Sequence, residues 1–428
     1  MTISSPPERA SDNADGREAR VGAFGIVNYR RFFIGQSFSN VGTWFQMLAQ
    51  SLLVLKLTGR ASSLGEATAI QAAPFLLLGP FIGPLVDRIN LRRVMIGIAV
   101  AAGLEASALA TLTATHFVTI WWIFGLSFAL GCINVFLQPA LQAIVPELVP
   151  RAAIPSAVSL NGVANATGRL AGPALAALLY SWKGPATCFS VNAASYVIVI
   201  VALLSLRRDE LYPTQARGRA KGTLKDGFRY AWQSPLLRGQ LIANAFVGIF
   251  AWNFGIFFAS FTQLVLHSGS LSLGIAESIN ATVAVIGGVI LSRHLSRPTR
   301  RTYVGGCIAL GTALGFTALA PNLITFYICM VLFGSTTVCY TVINQSLLQR
   351  VTPRERIGTV MTLSTYGTFG TTPVGGLIVG WLTTIGTARA AIAAGSASLL
   401  ISALVLTISA RRQGRPLASF DSPPLEPA

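Results

Sequence analysis

Charge is scarce in this sequence. Only 11% of its residues are Asp, Glu, Lys or Arg, against roughly 25% in an average soluble domain. A soluble chain of 428 residues could not cover its surface with so few. Acid is the scarcer sign, with 15 Asp and Glu against 32 Lys and Arg. The five cysteines (Cys132, Cys188, Cys307, Cys329 and Cys339) form no CxxC pair, and the three histidines do not cluster with them. That sets aside the common zinc and disulfide frameworks, and no metal is expected. No GxxxxGK[ST] loop is present to cradle a nucleotide, and no HExxH helix to hold a catalytic zinc. The period-two alternation of membrane barrel strands is missing as well. Residues 1–28 lack an apolar core of the signal-peptide kind, so the first apolar run is expected to act as an uncleaved insertion signal.

What fills the space is hydrocarbon. The chain is 52% hydrophobic with a mean hydropathy of +0.61. Its apolar runs are about as long as a membrane span requires, roughly 20 residues. They cover residues 31–57, 64–86, 94–114, 118–143, 153–182 and 185–206, then 236–266, 271–291, 303–320, 323–348, 354–384 and 388–410. The pattern predicts an all-α integral membrane protein with twelve transmembrane helices. Its expected divisions are a tail (1–28), a six-helix bundle (29–206), a polar linker (207–234), a second six-helix bundle (235–410) and a second tail (411–428). Within the linker, residues 224–232 have the pattern of an amphipathic helix on the membrane surface.

Net charge is +17 and the calculated pI 10.6. Nucleic-acid binding is one reading of so basic a chain. The placement of the arginines favours another. They gather in alternate connections, at Asp87 to Arg93, Glu147 to Arg151, the linker, Arg293 to Arg301 and Arg350 to Arg356. The positive-inside rule makes those connections cytoplasmic. Both termini are then cytoplasmic, the expected location is the plasma (inner) membrane, and anionic lipids are natural partners. No nucleic-acid partner or cofactor is implied, and nothing calls for more than a monomer.

The two halves echo each other. Gln138, Leu141, Gln142 and Pro146 recur at one offset as Gln345, Leu348, Gln349 and Pro353. Gln36 and Asn40 recur as Gln240 and Asn244. Such duplication is the parallel repeat of some secondary transporters, which place the substrate between the halves near mid-membrane. Polar residues four apart share a helix face, and hydrocarbon tolerates them poorly. Gln36, Asn40, Gln138, Asn165, Arg169, Asn244 and Gln345 are therefore candidate pathway residues, with interhelical hydrogen bonding the competing role. Trp44, Phe45, Trp252 and Phe254 could wall a site for a bulky ligand or simply pack. Three acids in the apolar runs, Glu66, Glu105 and Glu277, are candidates for proton coupling; Glu66 and Glu277 would also suit the first turns of their helices.

Gly83, Leu85, Asp87, Arg88, Arg92 and Arg93 stand between the second and third runs. They resemble the G-x-L-x-D-R-x-x-R-R loop motif of the major facilitator superfamily, with Asn90 where glycine is common. The resemblance implies a twelve-helix fold and a gating role for Gly83, Asp87, Arg88, Arg92 and Arg93, the aspartate latching the cytoplasmic side of the outward-facing state. Thr352-Pro353-Arg354-Glu355 offers a partner, since it has a capping-box pattern that would open a helix with proline at its first position. Gly168, Arg169, Gly172 and Pro173 resemble the fifth-span motif of antiporter-type exporters, although Ala176 and Ala177 replace its closing glycines. Together with Tyr29-Arg30-Arg31-Phe32, this stretch is most similar to the exporter branch that contains enterobactin, macrolide and multidrug efflux proteins. The resemblance implies a proton-coupled exporter of amphipathic small molecules such as drugs or siderophores, needing no cofactor beyond the proton gradient. An importer or lipid flippase of the same fold stays open, as do an intramembrane enzyme and a membrane scaffold or sensor.

Overall fold

In the computed structural model, residues 22–86, 90–212, 224–294, 299–353 and 356–412 are described, and every regular element among them is helical. The first six long helices are α1 (Val27–Thr58), α2 (Ala61–Val86), α3 (Leu91–Ala114), α4 (Ile120–Leu148), α5 (Ile154–Lys183) and α6 (Pro185–Leu204). A short helix, α7 (Leu224–Gln233), follows. The remainder are α8 (Pro235–Phe246), α9 (Phe254–Ser260), α10 (Ser270–His294), α11 (Arg300–Leu319), α12 (Leu323–Val351), α13 (Ile357–Phe369), α14 (Thr372–Ile385) and α15 (Ala388–Arg412). Eight helical segments among the described residues are long and apolar enough to cross a membrane. They make the chain a multi-pass membrane protein. Helices α1, α2 and α5 have comparable reach at 32, 26 and 30 residues.

Two apolar runs expected to be continuous are broken. Residues 236–266 form α8, a π-helical turn at Val247–Ala251, then α9 and a second π-helical turn at Phe261–Val265. At the break Asn253 leaves helical geometry, with φ −93° and ψ 43°. Its Nδ2 donates to the carbonyl oxygens of Ile249 at 3.0 Å and Gly248 at 3.4 Å, so the carbonyls freed by the break are served from within the chain. Residues 354–384 divide into α13 and α14 at Gly370–Thr371. Pro373 explains that division, because it lacks an N–H and its ring crowds the preceding turn. The expected helix start at Thr352–Pro353 is also corrected. Thr352 terminates α12, Pro353 is non-helical, and α13 begins at Ile357 without a side-chain cap.

Within the first six helices, α1 packs on α5 and α6, α3 on α4 and α6, and α2 on α4. Later in the chain α11 packs on α12 and α15, and α10 on α12. Two broad contacts join these sets: α2 with α14, and α5 with α10. Both depend on missing side chains. A β-carbon at Gly65 would collide with the carbonyl oxygen of Gly376, and one at Gly274 would meet Ala177 and the carbonyl of Pro173. Lower on α2, the Phe75 ring stacks on Tyr366 of α13 at 5.3 Å.

Polar clamps hold the helix ends. The Arg92 side chain donates to the carbonyls of Leu203 and Leu204, both at 2.7 Å, covering orphan acceptors at the end of α6. Arg300, buried at the start of α11, donates to the Leu406 carbonyl within α15 at 2.6 Å. Asn28 exchanges two hydrogen bonds with the Arg207 backbone, and Arg31 donates to the Ser205 carbonyl. The Tyr29 hydroxyl donates to Ala157 O at 2.8 Å. The Tyr-Arg-Arg entry to α1 thus ties it to α5 and to the end of α6. Helix α7 seats Ala231 against Leu237, Leu348 and Val360, while Arg356 lies 4.5 Å over the Tyr230 ring.

Gly65→Val should lower the stability of the purified protein by about 1–3 kcal/mol, the usual range for overpacking. Gly97→Ala, with nothing within 4 Å of the new β-carbon, should change it little. Thermal unfolding of the two variants in detergent makes the comparison.

Candidate substrate cavity

A cavity of about 580 Å³ opens among α1, α2, α4 and α6 and is closed on one side by Trp252, Asn253 and Thr372. Its polar stripe follows helical spacing along α1: Gln36, Asn40, Thr43, Gln46 and Gln50. Opposite stand Gln71, Asn134, Gln138 and Asn165, with Asn192 and Tyr196 from α6. No Asp, Glu, Lys, Arg or His lines it among the described residues. Side-chain amides and hydroxyls dominate its polar surface. The chemistry on offer is neutral hydrogen bonding beside apolar patches from Met47, Val54, Leu130 and Leu137.

The expected pathway residues separate into two groups. Gln36, Asn40, Gln138 and Asn165 line the cavity. Asn40 also donates to the Ala164 carbonyl at 3.1 Å, so one of its amide groups is spent on packing. Arg169 is exposed but lies outside the lining, and its charge is felt by Glu277 across the α5–α10 contact. Asn244 needs correction as a pathway residue, because it is completely buried away from the cavity. Its Oδ1 accepts from Tyr340 at 2.8 Å and Tyr303 at 3.0 Å, and its Nδ2 donates to Ser364 at 2.8 Å. Gln345 is exposed outside the cavity, and it is the neighbouring Asn344 whose side chain accepts from Gln240.

Of the three acids, Glu105 is 5% exposed and accepts from Gln46 Nε2 at 3.1 and 3.0 Å. Gln46 in turn accepts from Asn192 Nδ2 at 2.5 Å. Glu66 and Glu277 are partly buried and outside the lining. Both sit deeper than first-turn acids would, because α2 begins at Ala61 and α10 at Ser270. The fifth-span residues shape helix contacts. A side chain at Gly168 would strike Asn40, one at Gly172 would strike Trp44, and Pro173 meets α10. Phe45 is buried, and Phe254 joins a ring cluster with Phe258 and Phe333, leaving Trp252 alone of the four aromatics in the lining.

Of the loop residues expected to gate, Asp87 and Arg88 lie outside the described residues, as do Arg354 and Glu355. Gly83 is described only as backbone within α2. Arg92 caps α6 as above, and Asn90, the departure from the motif, is the N-cap of α3, accepting from Arg93 N at 3.1 Å. Gln46, Gln50, Asn134, Asn192, Asn253 and Thr372 were not expected in the site. Gln46 and Gln50 had a readable signal, since they continue the stripe of Gln36 and Asn40 at helical spacing. Asn253 and Thr372 reach the cavity through helix breaks.

The family described as transmembrane secretion effector matches residues 21–426. The chain belongs to that family, within the major facilitator superfamily. It is 23% identical over 391 residues to the MFS-type transporter YfiS of Bacillus subtilis (strain 168), covering 87% of this chain and 90% of that one. Macrolide efflux protein A of Streptococcus pyogenes is 23% identical, with 79% and 85% covered. The enterobactin exporter EntS of Shigella flexneri is 27% identical, with 63% and 64% covered. Among solved structures, the nucleoside transporter NupG shares the fold with a TM-score of 0.69 at 13% identity, covering 90% of this chain and 98% of that one. The protein is a membrane transporter and not an enzyme.

Replacing Asn244 with Ala removes the acceptor shared by two buried tyrosine hydroxyls, and should destabilise the protein by about 2–4 kcal/mol. Gln138→Ala, in the cavity wall, should stay within about 0.5 kcal/mol of the parent. Unfolding of both variants in detergent distinguishes the sealed cluster from the open one.

Proposed function

We propose that this protein is a proton-coupled exporter that carries amphipathic, largely uncharged small molecules through the cavity beside α1. The supporting observation is the cavity wall itself: amides, hydroxyls and apolar patches without a charged side chain. Such a wall suits drug-like or siderophore-like molecules rich in carbonyl and hydroxyl oxygens, and offers no counter-ion to a strongly charged solute. The efflux names of several relatives favour the outward direction.

In this reading the chain spans the plasma membrane twelve times, as two six-helix bundles (29–206 and 235–410) joined by the cytoplasmic linker (207–234), with both tails inside. The breaks at Asn253 and Gly370 then fall within the seventh and eleventh spans. The chain works as a monomer in contact with anionic lipids. The outer ends of the bundles meet where Gly65 packs on Gly376 and Gly274 on Pro173, and the cavity extends the other way as far as Met95 and Leu141. That arrangement corresponds to loading from the cytoplasm. Asp87 and Arg88 close the opposite gate when the bundles rock, and Arg92 anchors α3 to α6 as they do. An intramembrane acid, from Glu66, Glu105 and Glu277, takes the proton, and no cofactor is needed.

Proteoliposomes under an imposed proton gradient test the reading, with macrolides, catecholate siderophores and lipophilic dyes as the panel. At least one compound should move against its own gradient and opposite to the protons. Trp252→Ala or Gln138→Leu should lower its apparent affinity about tenfold, or about 1.4 kcal/mol. Movement in the same direction as protons would make the protein an importer, and transfer of labelled phospholipid alone would make it a flippase.

A further inference from the structure

We infer that Glu105 is the residue that carries the coupled proton, and that Gln46 passes its charge state to the cavity. This deepens the exporter reading and rests on it for the transport step, but the protonation site itself stands on geometry alone. Glu105 lies past the middle of α3, and its two carboxyl oxygens face one donor, Nε2 of Gln46. Among the described residues no Lys, Arg or His forms an ion pair with it. The titratable group that faces it from the helices packed on α3 is the Tyr196 phenol of α6, which lies near Ser39, Thr43 and Asn192. From α1 the facing group is the neutral Gln46 amide, and no charged group from α4 interacts with it. A buried carboxylate with a single amide donor and no cation is poorly compensated. Glu277, at the α5–α10 contact, is only partly buried and has the Arg169 charge nearby, whereas Glu105 is buried.

Gln46 stands between Glu105 and the open cavity, because it touches the acid and also lines the wall. A carboxylate accepts hydrogen bonds, and a carboxylic acid must donate one. In the present arrangement Gln46 gives its N–H to Glu105 and takes the Asn192 N–H on its carbonyl oxygen. With a proton on Glu105, the O–H needs an acceptor, and the Gln46 carbonyl is the one at hand. The amide then turns end for end. Asn192 loses its acceptor and must turn in its place, so the donor and acceptor pattern of the cavity wall reverses. No bond other than the O–H of Glu105 is made or broken, and the proton is exchanged with cavity water as Gln46 swings. A ligand that binds one pattern better than the other thereby shifts the proton, and the proton shifts the ligand by the same factor.

Infrared spectroscopy of the purified protein in lipid vesicles, with protons as the only ligand, tests this without a known substrate. Titrated from about pH 5 to about pH 9, the parent should show the carbonyl stretch of a protonated carboxylic acid that fades as pH rises. Glu105→Gln should lose that band while Glu277→Gln and Glu66→Gln keep it. Gln46→Leu should keep the band but move it to the position of a carboxyl group with a weaker hydrogen bond. A band that survives in Glu105→Gln overturns the assignment, as does its absence from the parent. A band unmoved in Gln46→Leu removes the relay. In proteoliposomes Glu105→Gln should abolish gradient-driven accumulation while downhill exchange persists. If the infrared results hold but parent transport ignores the gradient, the coupling in the exporter reading fails and the protonation site remains.

Discussion

A polar side chain inside a membrane-spanning helix must find a partner or a cavity, because hydrocarbon offers it neither donor nor acceptor. Most of this structure can be read as the answer to that demand. Repeated residues in the two halves answer it differently. In the first half, Gln36 and Asn40 open onto a cavity. In the second, Gln240 and Asn244 are closed off, one by Asn344 and the other by Tyr303, Tyr340 and Ser364. Two tyrosines account for much of the difference. Their hydroxyls saturate the Asn244 carbonyl, and both rings are buried beside it. The first half therefore carries a polar surface open to a cavity, and the second a closed, hydrogen-bonded core.

That closed core coexists with broken helices at its edge. The turns at Val247–Ala251 and the division at Gly370–Thr371 both lie beside the cavity. Backbone that leaves helical geometry at membrane depth is tolerated where protein or a cavity receives it. Asn253 does so directly, returning its amide to the freed carbonyls while its residue faces the wall. The second half thus contributes backbone irregularity, Trp252 and Asn253 to the site, whereas the first contributes the other amides.

Much of this architecture was legible in the residues. Apolar runs closed by glycine, proline and arginine located the long helices to within a few residues, because hydrophobic length is a strong constraint in a bilayer. The polar stripe on α1 was legible for the same reason, as a 3.6-residue period in an apolar background. Asn244 was misleading. It matches Asn40 in sequence, and only the tertiary placement of Tyr303 and Tyr340 decides that it faces inward. The break at Asn253 carried no proline to announce it, while Pro373 did announce the one before α14. The Thr352–Pro353 pattern looked like a helix start, yet Pro353 is non-helical, its carbonyl accepts from Arg356 N at 2.9 Å, and α13 begins only at Ile357.

The glycines show how one requirement can serve both fold and transport. Gly65 and Gly274 let helices from opposite sets touch backbone to backbone. Close contact between smooth surfaces gives dispersion without interlocking side chains. An interface of that kind can part and re-form without repacking a core. The hydrogen-bonded contacts of Asn244 with its tyrosines lie inside one set, while between the sets the Phe75–Tyr366 stack accompanies the glycine contacts. In the exporter reading proposed above, these glycine contacts between the sets are the ones that part, and the uncharged cavity lies beside them.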